Sequence, residues 1–267
     1  KGVVLPKNFH EAFIDIEDFM ISETHGDAGK TIIIEEKLIG EEVSVFAFCN
    51  GKQAFLMPQA QDNKRVWDDD KGLNTGGMGA YAPVSVLNSD EIQELQEYMN
   101  RVVDKLEYTG ILYAGVMKTQ KGIYLLEFNC RFGDPEAQVV LNLLESDFTE
   151  IIRNCLNGEK PEISWKSGYA TNVVLSHIDY PEKKLQSFVP VKFQGTIDSD
   201  ISVYWSSLTK VNDKIYTKGG RVLSMVSYSP NSIYESVKKV YNNIYKINFT
   251  GAFYRRDIGY KYLIKKY

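Results

Sequence analysis

The sequence predicts an α+β protein, and three observations carry that reading. Helical periodicity recurs at residues 8–22, 89–106, 135–157 and 232–245. Strand-sized apolar runs lie at 31–36, 43–49, 52–57, 111–117 and 124–128, and again at 170–176, 195–197, 202–205 and 221–227. Between the two groups stands Asn157-Gly158-Glu159-Lys160-Pro161, a polar, helix-breaking run after which the texture shifts to short strands. This divides the chain into a larger domain over 1–157 and a small α+β domain over 164–267.

In order along the chain, the first helix has Phe9, Ala12, Phe13, Ile16, Phe19 and Met20 on one face, with Asn8 and Glu11 as a capping pair. The run 26–30 breaks it, and 31–36 reads as a buried strand. Asn50-Gly51 between two strand-like runs predicts a hairpin with a type I′ turn. Residues 58–83 are polar and contain Gly72, Gly76, Gly77 and Gly79, a loop long enough to be functional. The second helix uses Ile92, Leu95, Met99, Val102 and Val103; the third is one long helix over 135–157; the last uses Ile233, Val237, Val240, Tyr241 and Ile244.

Composition narrows the function. Of 267 residues, 43% are hydrophobic and 25% charged, and the net charge is −4, so no broad basic surface points to nucleic acid or an anionic membrane. Cys49, Cys130 and Cys155 lie far apart, which excludes a disulfide framework and a cysteine zinc site. No apolar run spans a bilayer and no secretory segment opens the chain, so a cytoplasmic protein is expected. The opening Lys1-Gly2-Val3-Val4-Leu5 reads as the inside of a domain, so the chain is expected to begin part-way through a fold.

The densest chemical signal runs from Leu126 to Glu136. Residues two apart in a strand share a face, so Glu127, Asn129 and Arg131 point together. A carboxylate beside an amide oxygen suits Mg²⁺, which keeps waters and binds phosphate oxygens, and Arg131 could neutralise a moving phosphoryl group. The alternative is a solvated strand end stopped by Gly133 and Pro135. Asn74-Thr75-Gly76-Gly77-Met78-Gly79 could bring backbone N–H groups to an anion, or be a plain turn. Glu35-Glu36-Lys37-Leu38 followed by Glu42 could meet an adenine edge and ribose hydroxyls, or be a solvated turn. Lys218-Gly219-Gly220-Arg221 and Arg255-Arg256-Asp257 could each hold a phosphate or lie on the surface. His10, His25 and His177 have no metal-site spacing, and no GxSxG motif is present.

Taken in order, IIIEEKLIGEE, QDNKR, GLNTGGMGAY, YTGILYAGVM and LLEFNCRFGDPEAQ closely resemble the glycinamide ribonucleotide synthetase (phosphoribosylamine–glycine ligase) family, as do GGRVL and FYRRDIGY further on. The resemblance implies an ATP-grasp fold, with a partial small lobe and a large lobe, followed by a small α+β C-terminal domain. It implies ATP and Mg²⁺ or Mn²⁺ as cofactors, and glycine and 5-phosphoribosylamine as substrates, joined through glycyl phosphate in purine synthesis. No nucleic-acid or membrane partner is implied.

By this similarity Glu35, Glu36, Lys37 and Leu38 form the adenine hinge, Glu42 meets the ribose, and Lys1 and Asn74 meet the phosphates. Glu127 and Asn129 hold the metal, and Arg131 and Asp134 act in catalysis. Gly76, Gly77 and Glu136 are expected in the substrate pocket, with Arg221 and Arg255 as further substrate-binding residues.

The resemblance also implies a missing N-terminal domain, as a separate or cleaved segment, without which the chain is incomplete as an enzyme. Asn63 replaces a usual histidine and Leu73 a usual proline. Trp205-Ser206-Ser207-Leu208 and Asp179-Tyr180-Pro181-Glu182 depart from the family's HAGT-like and GYPG runs. These departures leave a competing reading, a non-catalytic scaffold or subunit on the same fold.

Overall fold

The computed structural model describes residues 2–183 and 188–265. Lys1, expected at the nucleotide phosphates, lies outside the described residues. The chain divides into two compact units, Lys1–Gly40 and Glu41–Tyr267.

The first unit holds helix α1 (Phe9–Met20), whose N-cap Asn8 accepts the Glu11 amide at 2.9 Å while the Glu11 carboxylate takes the Lys7 amide. Its apolar face is not buried, and Phe9 is 86% exposed. The strand expected over 31–36 is absent: the residues form no ladder, and Ile33 and Ile34 are exposed. A strand needs a neighbour for its N–H and C=O groups, and no described strand pairs with this run.

The second unit opens with the strands β1 (Glu41–Asn50), β2 (Ala54–Leu56), β3 (Gln61–Asp62), β4 (Arg65–Trp67), β5 (Lys71–Asn74) and β6 (Gly79–Ala82). Helix α2 (Ser89–Leu106), strands β7 (Thr109–Thr119) and β8 (Gly122–Asn129), and helices α3 (Glu136–Asn142) and α4 (Phe148–Leu156) follow. After them come β9 (Tyr169–His177), β10 (Val189–Pro190), β11 (Lys192–Phe193), β12 (Ile201–Trp205), β13 (Leu208–Val211), β14 (Lys214–Thr217) and β15 (Arg221–Ser229). Helix α5 (Ile233–Ile244), β16 (Ile247–Asn248), β17 (Ala252–Phe253) and α6 (Tyr260–Lys265) complete the order.

One antiparallel sheet runs β2-β1-β7-β8. In β1 the residues from Val45 to Cys49 are all apolar because both faces are covered. Val43, Val45, Ala47 and Cys49 pack in the cluster that holds Leu95, Met99 and Val103 of α2, while Phe46 and Phe48 pack with Val139, Val140 and Ile151 of α3 and α4. A second sheet, β12-β15-β9-β6-β3, joins strands from before and after 157–164. The segment at 157–161 is also tied back to β1, since the Asn50 amide donates to the carbonyls of Gly158 and Glu159. The division into compact units falls after Gly40.

Four local expectations change. The long third helix breaks into α3 and α4, because Asp147 caps a new start by accepting from the Thr149 and Glu150 amides. The presumed loop at 58–83 contains four strands of two to four residues, too short to show periodicity. Residues 195–197 form no strand. The hairpin after β1 pairs Cys49 with Ala54, so its loop is longer than a two-residue turn, with Asn50 Oδ1 accepting from Lys52 and Gln53.

Candidate functional site

In the second unit the site is built on one face of the first sheet. Register places Ser44 opposite Gly115, and Gly115 opposite Glu127, while Tyr113 faces Asn129. Glu42, two residues before Ser44, shares that face. Gly115 lets Tyr113 and Glu127 close over it, since an added Cβ would meet the Tyr113 ring at 3.3 Å and the Glu127 Cγ at 3.4 Å. Phe128 turns the other way and stacks on Tyr98 of α2 at 6.2 Å. Glu127 and Arg131 are exposed and Asn129 is half-buried. Arg131 donates to the Phe132 carbonyl at 2.9 Å.

Among the described residues no three His, Cys, Asp or Glu side chains converge on a metal position. The Glu127 and Asn129 pair offers only oxygen ligands on an accessible strand end. That donor set fits a hard cation completed by water and phosphate oxygens better than a caged ion.

Beneath this face lies a buried polar network. Ser44 Oγ donates to Glu136 Oε1 at 3.0 Å and sits 3.2 Å from the Tyr113 hydroxyl. Glu136 is 4% exposed. Burial pushes its carboxyl above the usual range, against the lowering effect of its backbone and Ser44 hydrogen bonds. The expectation of Glu136 in a substrate pocket is therefore corrected: the carboxylate is spent inside the fold.

Lys64 pairs with Glu42 at the edge of the network. Burial works against its charge, but Glu42, together with Tyr113 and Asp62, outweighs burial and holds the ammonium protonated well above its ordinary range. It is a fixed positive charge on the site face that sequence reasoning passed over, although QDNKR contains it.

The glycine-rich run is not an anion cradle. Thr75 N–H donates to Lys64 O, Gly76 N–H to the Tyr180 hydroxyl, Gly77 N–H to Thr75 Oγ1 and Met78 N–H to Asn63 O. With these donors spent, the glycines answer to close packing. A Cβ at Gly77, where φ is +109°, would overlap Pro135, and one at Gly76 would sit 3.0 Å from the Arg221 guanidinium carbon. Asn74 is half-buried at the end of β5, opposite Arg65. Asn63 is 2% exposed, so its departure from the family residue concerns packing.

Arg221 donates to Gly76 O and Asp134 O, both at 2.9 Å, and lies 3.4 Å from the Asp134 carboxylate. The two residues line a cleft of about 80 Å³ with Gln138, Ser206 and Ser224. Arg255 is fully buried. Its guanidinium meets Asp257 at 2.6 and 2.8 Å, Asp70 at 2.8 Å and the Arg65 carbonyl at 3.1 Å. Its expected role in substrate binding is corrected, because every arm of the fork is occupied out of reach of solvent. Glu35, Glu36, Lys37 and Leu38, the expected hinge, lie in the first unit outside any strand, the first three of them exposed.

Residues 1–137 match the family described as phosphoribosylglycinamide synthetase, ATP-grasp (A) domain, and residues 170–261 match the C domain of the same synthetase. The chain belongs to the phosphoribosylglycinamide synthetase family. A phosphoribosylamine–glycine ligase of Listeria innocua is 40% identical over 98% of this chain and 64% of its own length. The human trifunctional purine biosynthetic protein adenosine-3 is 38% identical over 98% of this chain and 27% of its own length.

Among solved structures, phosphoribosylamine–glycine ligase from Thermotoga maritima superposes with a TM-score of 0.84 at 31% identity, over 97% of this chain and 66% of that one. A biotin carboxylase domain from Hydrogenobacter thermophilus, at 13% identity and a TM-score of 0.71, shares the fold alone. The chain thus spans about two thirds or less of the relatives it matches. Among the described residues of this synthetase-family chain, no helix is long and apolar enough to cross a membrane.

Proposed function

We propose that this chain works in the ATP-dependent joining of glycine to 5-phosphoribosylamine, giving glycinamide ribonucleotide, ADP and phosphate in the cytoplasm. The observation that carries the reading is the pair of exposed Glu127 and half-buried Asn129, on one sheet face in a chain of this family. Packing does not require them there.

Glu127 and Asn129 would hold Mg²⁺ or Mn²⁺, which, when bound, neutralises phosphate oxygens. Lys64 and Arg131 add positive charge on this side of the sheet for the phosphoryl group passing from ATP to the glycine carboxylate. Asp134, which lines the cleft, would orient an amine. Glu42, although paired with Lys64, keeps an exposed portion for ribose hydroxyls, and Glu35 to Leu38 would meet the adenine. The amine of phosphoribosylamine then displaces phosphate from glycyl phosphate. The chemistry asks the protein chiefly for alignment and charge neutralisation.

The test is ADP release measured on the chain completed with the N-terminal part its relatives carry, with Mg·ATP, while glycine and phosphoribosylamine are supplied singly and together. Release that requires both substrates supports the ligase. Nucleotide binding without release under any combination sinks it in favour of a scaffold.

A further inference from the structure

The glycine-rich loop is gripped from the C-terminal side by two side chains that close on one residue. The Gly76 N–H donates to the Tyr180 hydroxyl at 2.8 Å, and the Gly76 carbonyl accepts from Arg221 at 2.9 Å. The same Arg221 nitrogen reaches the Asp134 carbonyl at 2.9 Å and lies 3.4 Å from Gly77 O. One guanidinium therefore ties the loop at 76–77 to the turn that carries Asp134. The glycine at 76 is what lets the fork and the phenol approach.

The tip of the β4-β5 hairpin that leads into this loop is locked separately. Asp68 accepts the Arg256 N–H at 2.9 Å, Asp257 accepts the Asp69 N–H at 2.9 Å, and Arg255 bridges Asp70 and Asp257. Beside the nearer bonds of Thr75, Gly77 and Met78, the hold on Gly76 thus comes from residues a hundred or more positions away in sequence, for which the glycine supplies the clearance.

We infer that Tyr180 and Arg221 are positioning residues. They set the glycine-rich loop against the Asp134 turn and so fix the wall of the cleft where the substrates other than the nucleotide are handled. The substrate part of this inference rests on the ligase reading above; the loop part does not. A lysine at 221 lacks the second nitrogen that reaches the Asp134 carboxylate at 3.4 Å, and its flexible stem does not hold one nitrogen between the Gly76 and Asp134 carbonyls as the planar fork does. Arg221 is partly open to the adjoining cleft, which leaves room for a free guanidinium ion if its side chain is removed.

The experiment compares Tyr180→Phe, Arg221→Lys and Arg221→Ala with the unaltered protein, with two readouts. Amide exchange at 75–78 is expected to quicken about 5- to 10-fold in each variant, as the loss of one or two hydrogen bonds implies, while exchange in β1 and β7 stays unchanged. The KM for glycine or phosphoribosylamine is expected to rise about 10-fold, with the KM for ATP unchanged.

Added guanidinium should restore both readouts in Arg221→Ala but not in Tyr180→Phe, a rescue that a general loss of stability would not show. Exchange at 75–78 equal to that of the unaltered protein in all three variants overturns the inference. So does faster exchange with every KM unchanged. If the protein completed with the N-terminal part of its relatives never turns over with these substrates, the ligase reading fails, and exchange with guanidinium rescue still decides whether the pair holds the loop.

Discussion

The end of β8 and the hairpin tip at Asp68, Asp69 and Asp70 look alike in sequence, as charged residues next to a strand, yet the structure uses them in opposite ways. Glu127 is exposed on the sheet face, opposite Gly115. Asp70 is shared between Arg255 and Lys261, and Asp257 closes the other side of Arg255. A polar side chain that the fold leaves accessible at little cost is available to a ligand. One whose partners are all inside the fold belongs to the fold. The same contrast separates Arg131, bonded only to a neighbouring carbonyl, from fully buried Arg255.

The largest effect that would test this contrast is on turnover. Glu127→Gln is expected to lower turnover by about a thousandfold or more, since a metal ligand and its charge are lost together, while the melting temperature moves by less than about 2 °C. A steady-state assay beside a thermal melt reads both. Turnover near that of the unaltered protein would remove Glu127 from the site.

Arg255→Ala should do the reverse. Removing one partner of a buried ion pair leaves uncompensated carboxylates and costs about 3–5 kcal/mol in denaturant unfolding. That loss should depend on pH with a definite sign. Burial would raise the Asp70 and Asp257 carboxyls, but hydrogen bonds from Lys261 and Arg255 to Asp70, and from Arg255 to Asp257, overcome it and hold both below their ordinary value. Groups with depressed folded pKa values contribute stability above the unfolded value of about 3.9, and that stability is lost as pH falls through the folded value. The gap between Arg255→Ala and the unaltered protein is therefore expected at neutral pH and should narrow in acid. A gap that is flat down to pH 2 would break the comparison.

Glu136→Gln gives a smaller effect of opposite sign. Its carboxyl is pushed upward in the fold, so its charge costs stability above the unfolded value of about 4.3, and the amide should be as stable as the acid or more so at pH 7. Denaturation midpoints at pH 4 and pH 7 check this, and a destabilised Gln variant at pH 7 would show that the network needs the charge. The smallest effect is expected for Arg131→Ala, within about 0.5 kcal/mol in unfolding because the side chain is exposed, although turnover should fall. A large loss of stability there would mean that Arg131 is structural.

Much of this was legible in the residues. Asn8 and Glu11, and the apolar stripe of α2, obey local rules that need no distant partner, and both helices form as read. Glu127 and Asn129 share a face because a strand alternates, whatever it pairs with. Other features depended on partners far away in sequence. Residues 31–36 have the composition of a strand, but strand formation requires a ladder, and no described strand pairs with them.

The amino-acid sequence by itself determined the family motifs, the helix caps and the pairing of a carboxylate with an amide at the end of β8, since these follow from neighbouring residues and backbone periodicity. Only the tertiary structure decided that Arg255 is buried, that Glu136 faces inward to Ser44, and that the glycines at 76 and 77 make room for Arg221 and Pro135. The physical reason is that burial and hydrogen-bond saturation are properties of what packs against a residue. The groups that pack here come from positions as far as 190 residues along the chain.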